Sequence, residues 1–103
     1  VILDAYPDAN GHTLIIPKKH ITDMDEMDNE TLSHINDVAK RIRKVLFKAL
    51  NPEGMVFIVN YGSTQMIKHY HLHLIPVYKE KQKIIDRNLI YQEIMKVKES
   101  ILN

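Results

Sequence analysis

His69, His71 and His73 alternate with Tyr70, Leu72 and Leu74, and Ile75-Pro76 closes the run. Period-two alternation among β-forming residues predicts a strand. Successive strand side chains point to opposite faces. The three imidazoles therefore share one face, while Tyr70, Leu72 and Leu74 share the other, which can pack on a core. A lone strand histidine is usually a structural or surface residue. Three at i, i+2, i+4 are harder to explain that way, because a row of imidazoles is costly to bury without partners. Three kinds of chemistry fit: a metal site, a catalytic histidine with supporting imidazoles, or a partner surface that responds to pH. Spacing alone does not separate them.

Other segments narrow the choice. Gly11-His12-Thr13-Leu14-Ile15-Ile16-Pro17-Lys18-Lys19-His20 lies upstream, and Asn60-Tyr61-Gly62 and Gln65 precede the histidine row. With His69 to Ile75, these segments resemble, in order, the motifs of the histidine triad family of nucleotide-binding proteins and nucleotide hydrolases. The resemblance covers roughly Val1 to Tyr78. It implies an α+β fold with an antiparallel sheet, and homodimers paired through sheet edge and helix. It implies that His71 attacks the α-phosphate of a purine nucleotide, either a phosphoramidate or a dinucleoside polyphosphate, and forms a covalent nucleotidyl-histidine that water then hydrolyses. His69, His73 and His12 would surround the phosphate. Asp4 would accept from the ribose hydroxyls, Ile2, Ala5 and Leu14 would line the base pocket, and Asn60 and Gln65 would lie near the phosphate. Asp4 reads otherwise as a turn acid, and the three apolar residues as core. A nucleotide-binding or adaptor module with little turnover is the alternative reading, and a zinc-binding protein a third.

The resemblance also marks departures. Some bacterial members hold a structural zinc with two Cys and two His, and the His positions correspond to His20 and His69. This sequence has no Cys, so no structural zinc is expected and no metal is assigned; its five Met and two apolar helix stripes read as core, so no cofactor is expected. Gly62-Ser63-Thr64-Gln65 leaves the loop two residues short of the family pattern. Met66 then stands where a Ser or Thr hydroxyl usually lies near the leaving group. A thioether donates nothing, so weak release of amine leaving groups is expected.

The elements that must position these residues follow from pattern. Val1-Ile2-Leu3 and His12 to Pro17 read as a hairpin across the turn residues Pro7 to Gly11. Thr22 to Met27 reads as a short helical turn. Asp28 or Asn29 can cap a long helix, in which Leu32, Ile35, Val38, Ala39, Ile42, Val45, Leu46, Ala49 and Leu50 form an amphipathic stripe. Lys40, Arg41, Arg43, Lys44 and Lys48 form its solvated basic side. Asn51 to Gly54 ends it. Met55 to Tyr61 reads as a strand, Gly62 to Lys68 as a loop, and Glu80 to Arg87 as a charged loop. Asn88 to Asn103 reads as a helix facing inward with Ile90, Ile94, Val97 and Ile101. Short connections favour an antiparallel sheet with helices on one side.

A length of 103 residues predicts one domain. A formal net charge of +1 argues against broad nucleic-acid or membrane binding. Neither a membrane span nor a signal peptide is visible, so the cytoplasm is the default compartment. The start at Val1, inside an apparent strand, leads us to expect that the native N-terminal segment is missing.

Overall fold

The computed structural model describes residues 1–102, with side chains through Val97. Strands β1 (Ile2–Leu3) and β2 (Thr13–Ile15) are followed by helix α1 (Asn29–Leu50), strands β3 (Gly54–Val59) and β4 (Leu72–Val77), and helix α2 (Arg87–Leu102). The four strands form one antiparallel sheet in the order β1-β2-β4-β3. The α+β architecture is the one its pattern predicts. Single turns of 3-10 helix at Met24–Glu26 and Gly62–Thr64 interrupt the connections.

Register explains which residues share a face. Ile2 pairs with Leu14, Leu14 with His73, and His73 with Ile58. Directly paired residues lie on the same side of a sheet. A row Ile2–Leu14–His73–Ile58 thus crosses one face. The opposite face carries Leu3, Thr13, Leu74 and Phe57 in the next row. Leu72 and Leu74 are buried there against Ile35, Ala39 and Leu46 of α1. Leu74 is fully enclosed. The alternation of β4 therefore divides the molecule into a helix-covered apolar side and an open histidine side.

The helix begins at Asp28, whose Oδ1 accepts from the Thr31 N–H at 2.7 Å. It stops where Asn51 turns left-handed, φ 51°, and its N–H bonds to the Phe47 carbonyl. Ile35, Ala39, Val45 and Leu46 are its buried residues. Helix α2 packs Ile94 on the same core and buries Ile90. The Ile101 side chain and Asn103, both part of the expected second helix, lie outside the described residues.

Two boundaries differ from the pattern reading. The strand starts at Leu72, not His69, because the residues before it bond elsewhere: the Tyr70 N–H donates to the Ile21 carbonyl. Pro76 lies inside β4 instead of closing it. It sits beyond the last β2 pair, Thr13–Leu74, where β4 has only β3 as neighbour, and an edge-like position of that kind tolerates a missing N–H. Likewise β3 ends at Val59, and Tyr61 instead opens the short turn at Gly62.

Candidate active site

Three histidine rings meet on the open face. The His12 and His73 ring centres lie 5.1 Å apart, and those of His71 and His73 4.8 Å. His12 enters from the residue just before β2, His73 from β4, and His71 from the residue just before β4. His69 stands apart from this group, its ring 5.1 Å from that of His20.

Backbone partners fix the state of each ring, because a carbonyl can only accept and an amide N–H can only donate. His71 Nδ1 lies 2.7 Å from its own segment's His69 carbonyl. That nitrogen carries the proton, and Nε2 keeps a lone pair. His12 Nδ1 accepts from the Asp8 N–H at 3.1 Å, so the His12 proton sits on Nε2. From there it points at His73 Nδ1, 2.9 Å away. His73 consequently carries its own proton on Nε2. His69 Nε2 faces the Pro17 carbonyl at 3.2 Å and is a donor. The three clustered rings thus leave one unprotonated nitrogen uncommitted, His71 Nε2, beside a neighbouring imidazole whose Nε2 is an N–H. A nucleophile next to a hydrogen-bond donor is suited to attack on an electrophilic centre that develops negative charge.

Asp4 closes the group from the hairpin. Its N–H donates to the His12 carbonyl at 2.9 Å, and its Oδ1 accepts from the Tyr6 N–H. Oδ2 lies 3.5 Å from His12 Nε2. With His12 neutral this is a long N–H···O contact, not an ion pair.

Donor atoms of Asp4, His12 and His73 all lie within 4.8 Å of one another, a spacing that a metal could use. The tautomer argues against it. A metal on His12 Nε2 would drive the ring proton to Nδ1, directly against the Asp8 N–H, whereas a ligating histidine normally donates its other N–H to an oxygen. The His20 and His69 rings lie together, His69 Nε2 donating to the Pro17 carbonyl, and the sequence has no Cys beside them.

The other expected residues fall in two groups. Ile2, exposed, and Leu14, half-buried, share the face of His73, and Ala5 follows Asp4 on an exposed bend. Asn60 is half-buried at the end of β3. Gln65 is buried and its amide donates to the Thr22 carbonyl at 2.5 Å, so this side chain fastens the loop. Met66 is 97% exposed. Pattern reading missed Asp8, which acts through its backbone and so leaves no side-chain signal, and Asn10, whose position before Gly11 read only as turn chemistry.

Burial holds the His73 imidazolium below its ordinary 6.5, and the neighbouring His71 and His12 push the same way, while Asp4 and Asp8 pull weakly against them. An unfolded chain therefore takes up a proton at His73 at a higher pH than the folded one. Stability is greatest above 6.5 and falls as pH drops from there toward the lowered folded value. Urea midpoints measured across this window should fall less steeply for His73→Gln than for the parent, and equal slopes would refute the assignment.

An antiparallel sheet with helices on one side and a histidine cluster on the other defines a histidine triad domain. The HIT domain family model matches residues 1–80, and the chain belongs to that family. It is 42% identical over 79 residues to an uncharacterized HIT-like protein of Mycoplasma pneumoniae, covering 75% of this chain and 55% of that protein. It is 36% identical over 76 residues to an adenosine 5'-monophosphoramidase of Schizosaccharomyces pombe, covering 72% of this chain and 54% of the relative. Among solved structures, a hypothetical histidine triad nucleotide-binding protein of Sulfolobus tokodaii superposes with a TM-score of 0.83 at 32% identity, over 98% of this chain and 76% of the other. The chain thus spans little more than half the length of these curated relatives. No helix among the described residues is long and apolar enough to cross a membrane.

Proposed function

We propose that this domain hydrolyses purine nucleotides at the α-phosphate through a covalent nucleotidyl-histidine on His71. The observation that carries the reading is the bond from His71 Nδ1–H to the His69 carbonyl, which leaves the Nε2 lone pair available as nucleophile. In the first step Nε2 bonds to phosphorus and the bond to the leaving group breaks; the leaving group takes the electron pair, a phosphate-like group departing as an anion and an amine taking a proton from solvent. In the second step water attacks the same phosphorus, the N–P bond breaks, and AMP or a related monophosphate is released. Splitting one displacement into two is the benefit of nucleophilic catalysis. His73 Nε2–H and His12 behind it would offset charge on the phosphoryl oxygens. Asp4 would accept from the ribose diol, and Ile2 and Leu14, beside His73 in the same row, would contact the base. Met66 brings no donor to the leaving group, which favours phosphate-like groups over amines.

The test is AMP release from an adenosine phosphoramidate, with and without chelator. Release insensitive to chelator supports the reading. Nucleotide binding without release would make the domain a binding module, and release lost to chelator would make it a metal enzyme.

A homodimer is part of this proposal. Strand β3 has a neighbour on one side only, and Val56, Phe57, Ile58 and Val59 are all more than a third exposed. An open apolar edge of this kind pairs readily with another strand, and twofold pairs are the commonest soluble assembly. Sedimentation at micromolar concentration should show a dimer, and Phe57→Lys should shift it to monomer. A parent protein that sediments as a stable monomer would refute the pairing.

A further inference from the structure

Asn10 is a polar side chain buried to 7% exposure, and the reaction above makes no use of it. Its Nδ2 donates to Gln82 Oε1 at 3.3 Å and to the Lys83 carbonyl at 3.0 Å, and its Oδ1 accepts from the Ile85 N–H at 2.9 Å. Its own carbonyl accepts from the Tyr78 hydroxyl at 2.6 Å. All these partners belong to the link between β4 and α2. Burial pushes the Tyr78 phenol up, which keeps it a donor.

On its other side Asn10 is the second residue of the turn Ala9–His12, closed by the His12 N–H on the Ala9 carbonyl at 3.1 Å. This turn sets the Asp8 N–H on His12 Nδ1. The β4–α2 link and the protonation state of His12 are therefore joined through one residue. A buried, fully bonded polar group fixes geometry in a way an apolar one does not.

We propose that Asn10 is a positioning residue: gripped by the β4–α2 link, it holds the turn that keeps His12 Nδ1 unprotonated and aims His12 Nε2–H at His73. Gln82, Lys83 and Ile85 lie beyond the family match, which ends at residue 80. The contacts that hold Asn10 thus come in part from residues after the stretch that the family model matches. The kinetic consequence rests on the hydrolase reading; the effect on the His12 ring does not.

The test combines NMR of the ring nitrogens in isotope-labelled histidine with kcat, KM and melting temperature, on the parent, Asn10→Ala, Gln82→Ala and Tyr78→Phe. In the parent, His12 should show a single form with unprotonated Nδ1. In Asn10→Ala that form should mix with the other tautomer, and kcat should fall by ~10–100-fold, the range of a small misplacement, while KM moves far less. Gln82→Ala, which loses one bond, should fall between the two. An Asn10→Ala variant with the parent's His12 signature overturns the proposal, however much its melting temperature drops. If Asn10→Ala does not fold, Gln82→Ala and Tyr78→Phe decide: an unaltered His12 ring in both overturns it, and a mixed ring in either supports it. A parent that releases no AMP refutes the hydrolase reading, and the ring signatures still decide this one.

Discussion

Replacing His71 by Ala is expected to abolish the covalent intermediate and reduce turnover by more than ~10⁴-fold, beyond the ~10²–10⁴ that a general acid or base contributes. The reason is chemical identity, since no other imidazole here offers the same nitrogen. His12 Nε2 is committed to His73 Nδ1, and His69 Nε2 to the Pro17 carbonyl. His73 Nδ1 accepts from the His12 N–H, which leaves Nε2 of that ring an N–H. Among the described residues only His71 combines a backbone-held Nδ1–H with an uncommitted Nε2. Its ring is half-buried and it precedes β4, so removing it deletes no core contact of the kind Leu74 makes. Nucleotide affinity and melting temperature should therefore stay close to the parent's. Mass spectrometry of quenched reactions should find adenylylated parent protein and none in the variant. Turnover within about tenfold of the parent would remove His71 as nucleophile.

The largest expected loss of stability comes from Gly11→Ala. Gly11 has φ 87°, the conformation that a turn with positive φ at its third residue demands. An L side chain there costs ~1–2 kcal/mol. Space is short as well: an added Cβ would lie 2.5 Å from Leu50 Cδ1, with Pro76 Cγ at 3.4 Å and Leu46 Cδ2 at 3.5 Å. Leu50 can turn its end aside, but Pro76 and Leu46 are fully buried and leave it little room. Overpacking of this sort costs a further ~1–3 kcal/mol. A total of ~2–5 kcal/mol is a large share of the ~5–15 kcal/mol that holds a domain together. Urea denaturation measures it directly, and a loss below ~1 kcal/mol would show that the turn relaxes at little strain.

Particular residues show what the sequence made legible. The alternation from Tyr70 to Leu74 identified the buried and open sides of β4, because a two-residue period is a local property. The stripe of α1 and its Asp28 cap were legible for the same reason. The strand ends were not. Whether residues 69–71 join the sheet depends on the bond from Tyr70 to Ile21, a contact between distant segments that pattern does not encode. The membership of the site was legible only in part. His12, His71 and His73 come together, whereas His69 pairs with His20, although strict alternation placed all three triad histidines in one row. Gln65 was expected near the phosphate, and the sequence did not reveal that its side-chain N–H also ties the loop to Thr22. Asn10 and Asp8 escaped because their roles are set by partners in the link after β4 and by a backbone N–H.

The strand order carries a consequence for how the protein comes to exist. The His12–His73 contact spans 61 positions of sequence, and it forms only when the N-terminal hairpin docks against β4. Long-range strand pairing is slow, because chain entropy must be lost before contacts compensate it. The hairpin leaves the ribosome before its neighbour in the sheet, because α1 and β3 lie between β2 and β4 in the chain. Until β4 is synthesised, β2 has an unpaired edge and His12 has no ring to meet. A chain released before β4 therefore lacks the assembled histidine cluster, which forms only as the sheet closes.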